Sequence, residues 1–333
     1  MMLARVAETL FSVARDLERA ETTARLLEVT HAMELETGQT GSGDWETLLR
    51  ILGDRDAFAA DHRTIDGAAV GWHFTLSDEN PGSIQAIVAR ARNRARTVRD
   101  RLSTEIWEAL NGFYLQFADW DGSRMQREGV YSLSKVVRQR SYLLQGLIET
   151  TMRHDDHWTF LRLGRALERA TLSSRLVGVR AGDLSQPAGA NGEASVEQHR
   201  WESLLRAGFA DEAYARTHPE ISPRAVVRFL VLDERLPRSV AYALSMVEEC
   251  QNSLIADLSM APEAPPLQIT RKARAYLHEG ASAELMIDPA GYLHRIGDYC
   301  AEIETSIRTT CFAAAYRRPG GDWDAQAQGQ SQN

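Results

Sequence analysis

Arg15-Asp16-Leu17-Glu18-Arg19-Ala20-Glu21-Thr22-Thr23-Ala24-Arg25-Leu26-Leu27-Glu28-Val29 comes back 150 residues later. The second copy reads Arg165-Ala166-Leu167-Glu168-Arg169-Ala170-Thr171-Leu172-Ser173-Ser174-Arg175-Leu176-Val177-Gly178-Val179, with eight of the fifteen positions identical. Unrelated segments of this length share about one position by chance, so an internal repeat is the first reading. In the first copy, Leu10, Val13, Leu17, Ala20, Ala24 and Leu27 recur at steps of three and four. That period is one buried helical stripe, and it places Arg15, Glu18, Arg19, Thr22 and Arg25 on the opposite, charged side.

Two further landmarks keep the same order. Trp45-Glu46-Thr47-Leu48-Leu49-Arg50 returns as Trp201-Glu202-Ser203-Leu204-Leu205-Arg206 at a spacing of 156. Phe74, Asp78, Glu79, Pro81 and Ser83 return as Phe229, Asp233, Glu234, Pro237 and Ser239, the spacing slipping from 155 to 156 through one inserted residue. Three landmarks in register predict a duplicated unit, with one repeat over 1–150, a second over 151–317 and the possibility of a single shared core. The residues from 318 to 333 read as a disordered tail.

Helical periodicity runs through nearly the whole chain and strand signals are almost absent. The reading is an all-α, internally duplicated helical bundle with halves related by a pseudo-twofold axis. Helices are expected from about residue 10 to 36, then over 45–52, 54–60, 68–75, a long Arg-rich stretch to 101, 103–118, 124–152 and 156–180. The second half repeats the series over 197–207, 209–216, 223–232, 237–259, 268–279 and 289–317. The small, polar stretch 181–195 reads as a long surface loop inside the second repeat. Asp78, Pro81 and Ser83, like Asp233, Pro237 and Ser239, have the residue types of helix starts. Trp45 and Trp201 read as core anchors.

With 333 residues, 44% hydrophobic and 25% charged, the chain has the balance of a globular protein able to bury a substantial core. A formal charge of −8 argues against nucleic-acid binding. No apolar run approaches a membrane span, and Arg5, Glu8 and Arg15 interrupt the stretch where a signal peptide needs its apolar core. A cytoplasmic location is therefore expected. Cys250, Cys300 and Cys311 are too widely spaced for a disulfide framework or a zinc site. Lys135 and Lys272 are the only lysines, so nearly every basic residue is Arg.

The opening Met2-Leu3-Ala4-Arg5-Val6-Ala7-Glu8-Thr9-Leu10, the doubled Leu-Glu-Arg-Ala and Trp158-Thr159-Phe160-Leu161-Arg162-Leu163-Gly164-Arg165 resemble the alpha-E family. Ser103-Thr104-Glu105-Ile106-Trp107-Glu108-Ala109-Leu110-Asn111 belongs to the same likeness, which covers roughly Met2 to Arg317. The resemblance implies an α-helical domain with a Glu-Arg motif, typically in tandem. It also implies association, through gene neighbourhood, with circularly permuted ATP-grasp ligases, transglutaminase-like proteins and an NTN-hydrolase peptidase in a peptide synthesis or modification system. One departure is Ala91-Arg92-Asn93-Arg94-Ala95-Arg96, which lacks the acid the family pattern carries there.

Adjacent residues on a helix point about 100° apart, so Glu18 and Arg19 cannot pair with each other. Glu18 is placed for Arg15 or Thr22, and Arg19 for a facing helix. The plainer reading is that each Glu-Arg set knits its helix to neighbours through charge-assisted bonds. The functional reading is a charged cleft in which Arg15, Arg19, Arg25, Arg165, Arg169 and Arg175 clamp a carboxylate or phosphate, with Glu18 and Glu168 orienting them. The ligand would be a peptide, an acyl-phosphate or a nucleotide.

Metal chemistry is poorly supported. A di-iron bundle uses two Glu-x-x-His motifs, whereas this chain has one, Glu28 to His31, whose repeat counterpart begins at Gly178. His154-Asp155-Asp156-His157 reads as a capping stretch at a helix start, and no cofactor is expected. Phosphate-loop, dinucleotide and nucleophile-elbow motifs do not occur. A non-catalytic or accessory component, binding an ATP-grasp partner or its anionic ligand through the doubled Glu/Arg faces, is the favoured reading. The alternatives are an enzyme modifying peptides or amide bonds with Glu18 and Glu168 as acid/base groups, and a purely structural scaffold.

Overall fold

The computed structural model describes residues 4–38, 42–184, 194–258, 263–279 and 284–312. All regular structure among them is helical. The first sequence copy supplies α1 (Ala4–Thr37), α2 (Ser42–Leu52), α3 (Arg55–Asp61), α4 (Gly67–Thr75), α5 (Ile84–Thr97), α6 (Thr104–Ala118) and α7 (Gly122–Thr151). The second supplies α8 (Asp156–Leu184), α9 (Ala194–Ala207), α10 (Asp211–Thr217), α11 (Pro223–Leu232), α12 (Val240–Asp257), α13 (Pro265–Glu279), α14 (Glu284–Ile287) and α15 (Pro289–Ile307). A 3-10 turn, Arg99–Arg101, follows α5, and a π turn, Arg308–Phe312, ends α15.

Local chemistry sets many of the boundaries. Ser83 and Ser239 accept from the backbone N–H groups of Ala86 and Tyr242 and so cap α5 and α12. In the preceding loops, Asp233 accepts from the N–H groups of Arg235 and Leu236. Asn80, not Asp78, does the corresponding work in the first loop, accepting from Gly82 and donating to the His73 carbonyl. α7 is not the uninterrupted helix its periodicity predicts: Gly129 adopts φ +77°, a conformation that favours glycine, and kinks it. The loop expected over 181–195 is shorter, because α8 continues to Leu184 and α9 starts at Ala194; the rest of it, like the tail 318–333, lies outside the described residues.

α1 and α8 form the centre. α1 packs most extensively on α8 and is further covered by α5, α7 and α9, while α12 and α15 cover α8. Their contacts advance together along both helices, Phe11 meeting Gly164 and Glu18 meeting Arg169, so the two run in the same direction. The approach is backbone to backbone: a Cβ built on Gly164 would stand 2.2 Å from the Phe11 carbonyl oxygen. One apolar core joins residues of both sequence copies, with Trp45 and Trp201 both buried in it. No helix among the described residues is long and apolar enough to cross a membrane.

This enclosure shows what covers the charged side of α1. Glu18, Glu21 and Arg25 are 1%, 0% and 2% exposed, and Asp16 and Thr22 are buried too. The side opposite the Leu10–Leu27 stripe is not a solvated face, because α8 and the loop before α12 lie against it.

Candidate functional site

The two Glu-Arg pairs exchange partners across the α1–α8 contact. Arg169 on α8 donates from Nε and Nη2 to both carboxylate oxygens of Glu18, at 2.9 and 3.0 Å. Reciprocally, Arg19 on α1 donates from Nε to Glu168 Oε1 at 2.6 Å, and Arg15 donates to Oε2 at 2.7 Å. Glu18 therefore turns away from the in-helix partners Arg15 and Thr22 expected of it. Helix-to-helix pairing removes both carboxylates from water while meeting each with two guanidinium groups, the condition under which a buried charge is tolerated.

The second donor differs between the two nodes. Arg238, in the loop before α12, donates to Glu18 Oε1 at 3.0 Å and also binds Glu21. Glu21 in turn holds Arg25, whose Nη1 donates to the Ala207 carbonyl at 3.0 Å. The Phe209 ring lies under Arg25, with its centroid 3.8 Å from the guanidinium carbon. Arg169 also reaches the Pro237 carbonyl, and Ser173 donates to the Arg238 carbonyl, tying that loop to α8. At the other node the chain of charges runs outward, from Arg15 to Glu304 and on through Arg308 to Glu8.

Burial pushes the Glu18 carboxyl upward, yet Arg169 and Arg238 overcome this and hold it well below the usual carboxylate range. Burial, with the like charge of Arg238 beside it, pulls Arg25 down to about 10 in spite of Glu21.

A cleft of about 660 Å³ opens beside the Glu168 node, between α8, α15 and the middle of α1. Arg15, Arg19, Arg50 and Arg175 line it together with His294, Asp298 and Glu304, and Gly178 and Gly182 of α8 let Leu293 and Ala290 of α15 pack close at its edge. Arg19 is 44% exposed although it holds a fully buried carboxylate. Arg175 is exposed as well, and partial burial of its guanidinium and the like charge of Arg19 lower its pKa.

Of the eight residues singled out by sequence, Arg15, Arg19 and Arg175 thus reach one cleft. Glu168 lies sealed behind it, and Glu18, Arg169 and Arg25 are built into the closed node. Arg165 points elsewhere, to Glu149 at 2.7 Å. Sequence reasoning missed Arg238 and Glu21, which complete the closed node, and Arg50. Arg238 sits between the repeated Pro237 and Ser239, and Glu21 within the repeated helix, so both lay inside the landmarks.

Other chemistries find less here. Asp155, Asp156 and His157 bring one potential ligand atom each to within 4.8 Å of one another, at the start of α8 where acids favour the helix terminus anyway. Glu28 is taken by Arg138 at 2.9 Å. The cysteines are free thiols, and burial pushes Cys250 and Cys300 up to about 12 and Cys311 to about 11, against nucleophilic use at neutral pH.

The chain matches the Alpha-E family, described as a predicted alpha-helical domain with a conserved ER motif, over residues 2–312, and it belongs to that family. It is 26% identical to uncharacterized proteins of Mycobacterium bovis and Mycobacterium tuberculosis, in alignments covering 95% of this chain and 37% of theirs. The chain therefore spans little more than a third of the length of the curated relatives it matches. No solved structure matches it.

Proposed function

We propose that this Alpha-E chain is a non-catalytic, accessory component of an ATP-grasp-associated peptide synthesis or modification system, and that it binds a partner protein or an anionic ligand through its arginine-lined cleft. We read Glu18-Arg19 and Glu168-Arg169 as the family's ER motif, and the two sequence copies as products of a duplication. A cytoplasmic location fits the same reading. The observation that carries it is the division of labour among the charges. Both glutamates are sealed and doubly paired, while the cations around the Glu168 node stay accessible.

A carboxylate acting as acid/base at neutral pH needs a pKa raised toward 7. Glu18 is held in the opposite direction, which weighs against the enzyme alternative. A purely structural scaffold would leave the cleft without a use. Relatives of which this chain spans only 37% leave room for a second functional unit on one polypeptide, as an accessory module would have.

Co-purification with the neighbouring ATP-grasp protein, followed by ATP-dependent ligation assays with and without this chain, tests the proposal. Complex formation and ligation that depends on the chain are expected. Ligation or peptide modification by this chain alone would overturn it.

A further inference from the structure

Arg25 and Arg175 occupy equivalent positions in the two sequence copies, and their surroundings differ in each respect that matters to a guanidinium. Around Arg25 the chain supplies a carboxylate, Glu21, one helical turn back, and an aromatic face, Phe209. The equivalents of these residues around Arg175 are Thr171 and Gly53. Gly53 and Phe209 hold the same special backbone conformation, with φ +78° and +52°. A left-handed conformation is ordinary for glycine and uncommon for a bulky residue, so the Phe209 position is maintained at a cost for the ring it provides.

Arg175 Nη1 lies against Gly53, where a Cβ would stand 2.8 Å from it. No hydrogen bond or ion pair joins Arg175 to any described residue. Thr171 spends its hydroxyl on the Leu167 carbonyl and lines the cleft together with Arg175 and Arg19. One copy therefore closes its arginine with an internal acid and an aromatic lid. The other lacks both and opens at that point into the cleft.

We infer that the cleft binds a carboxylate-bearing peptide, whose carboxylate takes, beside Arg175 and Arg19, the place that the Glu21 carboxylate takes beside Arg25. The internal pair serves as the template for the place: Arg25 Nη2 meets both oxygens of Glu21, and Arg169 shows on Glu18 the two-nitrogen fork by which a guanidinium recognises a carboxylate. At about 660 Å³ the cleft has room for a short peptide. A nucleotide is disfavoured, since among the described residues no Phe, Tyr or Trp lines the cleft to stack a base and His294 is the one ring there. This inference rests on the binding role proposed above and names its ligand.

The test is calorimetric titration of the full chain with N-acetyl-Ala-Ala-Glu, its fully amidated Gln counterpart and inorganic phosphate. The carboxylate peptide should bind, with the amidated peptide and phosphate each at least tenfold weaker. Arg175→Ala should weaken the peptide at least tenfold, whereas Arg216→Ala, the same charge change at an exposed site, should change it less than twofold. Thr171→Glu should rebuild the internal acid, displace the peptide at least tenfold and keep an unfolding midpoint no lower than wild type.

Phosphate or amidated peptide binding as well as the carboxylate peptide overturns the inference. So does full peptide binding by Arg175→Ala. ATP-dependent ligation run in parallel separates the two proposals. Ligation that needs the chain without any peptide binding overturns only the carboxylate site. Peptide binding with chain-independent ligation overturns the accessory role and leaves the site standing.

Discussion

The Glu18 and Glu168 nodes begin from the same Leu-Glu-Arg-Ala and end as different objects. Glu18 is enclosed by Arg169, by Arg238 from a loop fastened to α8, and by the Arg25–Phe209 stack beyond. Glu168 is equally buried, but Arg19 stands with one side in a cleft and Arg15 shares itself with Glu304. A second divergence lies on the flank. Asp16 is gripped by Arg90 and Arg94 of α5, whereas the equivalent positions in the second copy are Ala166, Met246 and Cys250. Three charged residues that meet in one stretch stand opposite three uncharged ones in the other, consistent with a buried charge needing its partners. The comparison teaches that a repeated motif can keep its pairing while its neighbours decide whether it closes a core or edges a binding site.

The largest effect should come from breaking the closed node. Glu18→Ala leaves Arg169 and Arg238 facing each other in the interior, at an expected cost of about 3–5 kcal/mol in urea unfolding. Glu168→Ala should cost about 1–3 kcal/mol, because Arg19 can turn to water. Equal losses at the two sites would erase the distinction between closed and open nodes.

Acid separates the nodes by another route. The Glu18 carboxyl binds its proton more weakly folded than unfolded, so its stabilising contribution is complete above the ordinary glutamate value of 4.5 and fades as pH falls below it. Urea midpoints measured from pH 6 down to pH 3 should decline for the native chain, and less steeply for Glu18→Gln, which has no carboxylate to protonate. Parallel declines would remove Glu18 from the acid response. The smallest effect is on the flank. Asp16→Ala should cost about 1 kcal/mol, since both its arginines reach solvent, and adding Arg90→Met should recover part of that by imitating the second copy.

Much of the scaffold was legible beforehand. Helix positions followed from the 3.6-residue period, and serines at the starts of α5 and α12 announced their caps. The wheel separates the charged side of α1 from its apolar stripe, but it records which residues share a side and not what covers them. Two helices that bury charged sides against each other look, one at a time, like two surface helices. The same limit hid Arg238, whose partner Glu18 is 220 residues away. Gly129 was invisible for a different reason, since one glycine within a strong helical pattern does not reveal its backbone angles. The contrast between Phe209 and Gly53 was present in the repeat as a plain substitution and acquired meaning only once Arg25 and Arg175 were seen beside them.

The missing side chain of Gly164 has a consequence for how this protein tolerates change. One turn before Glu168 on α8, and beside the residue one turn before Arg15 on α1, it lets the two main chains touch. Even one methyl group there would wedge the helices apart and lengthen the bonds that cross between them. A single hydrogen atom thus sets the spacing for all the arginines that cross between α1 and α8.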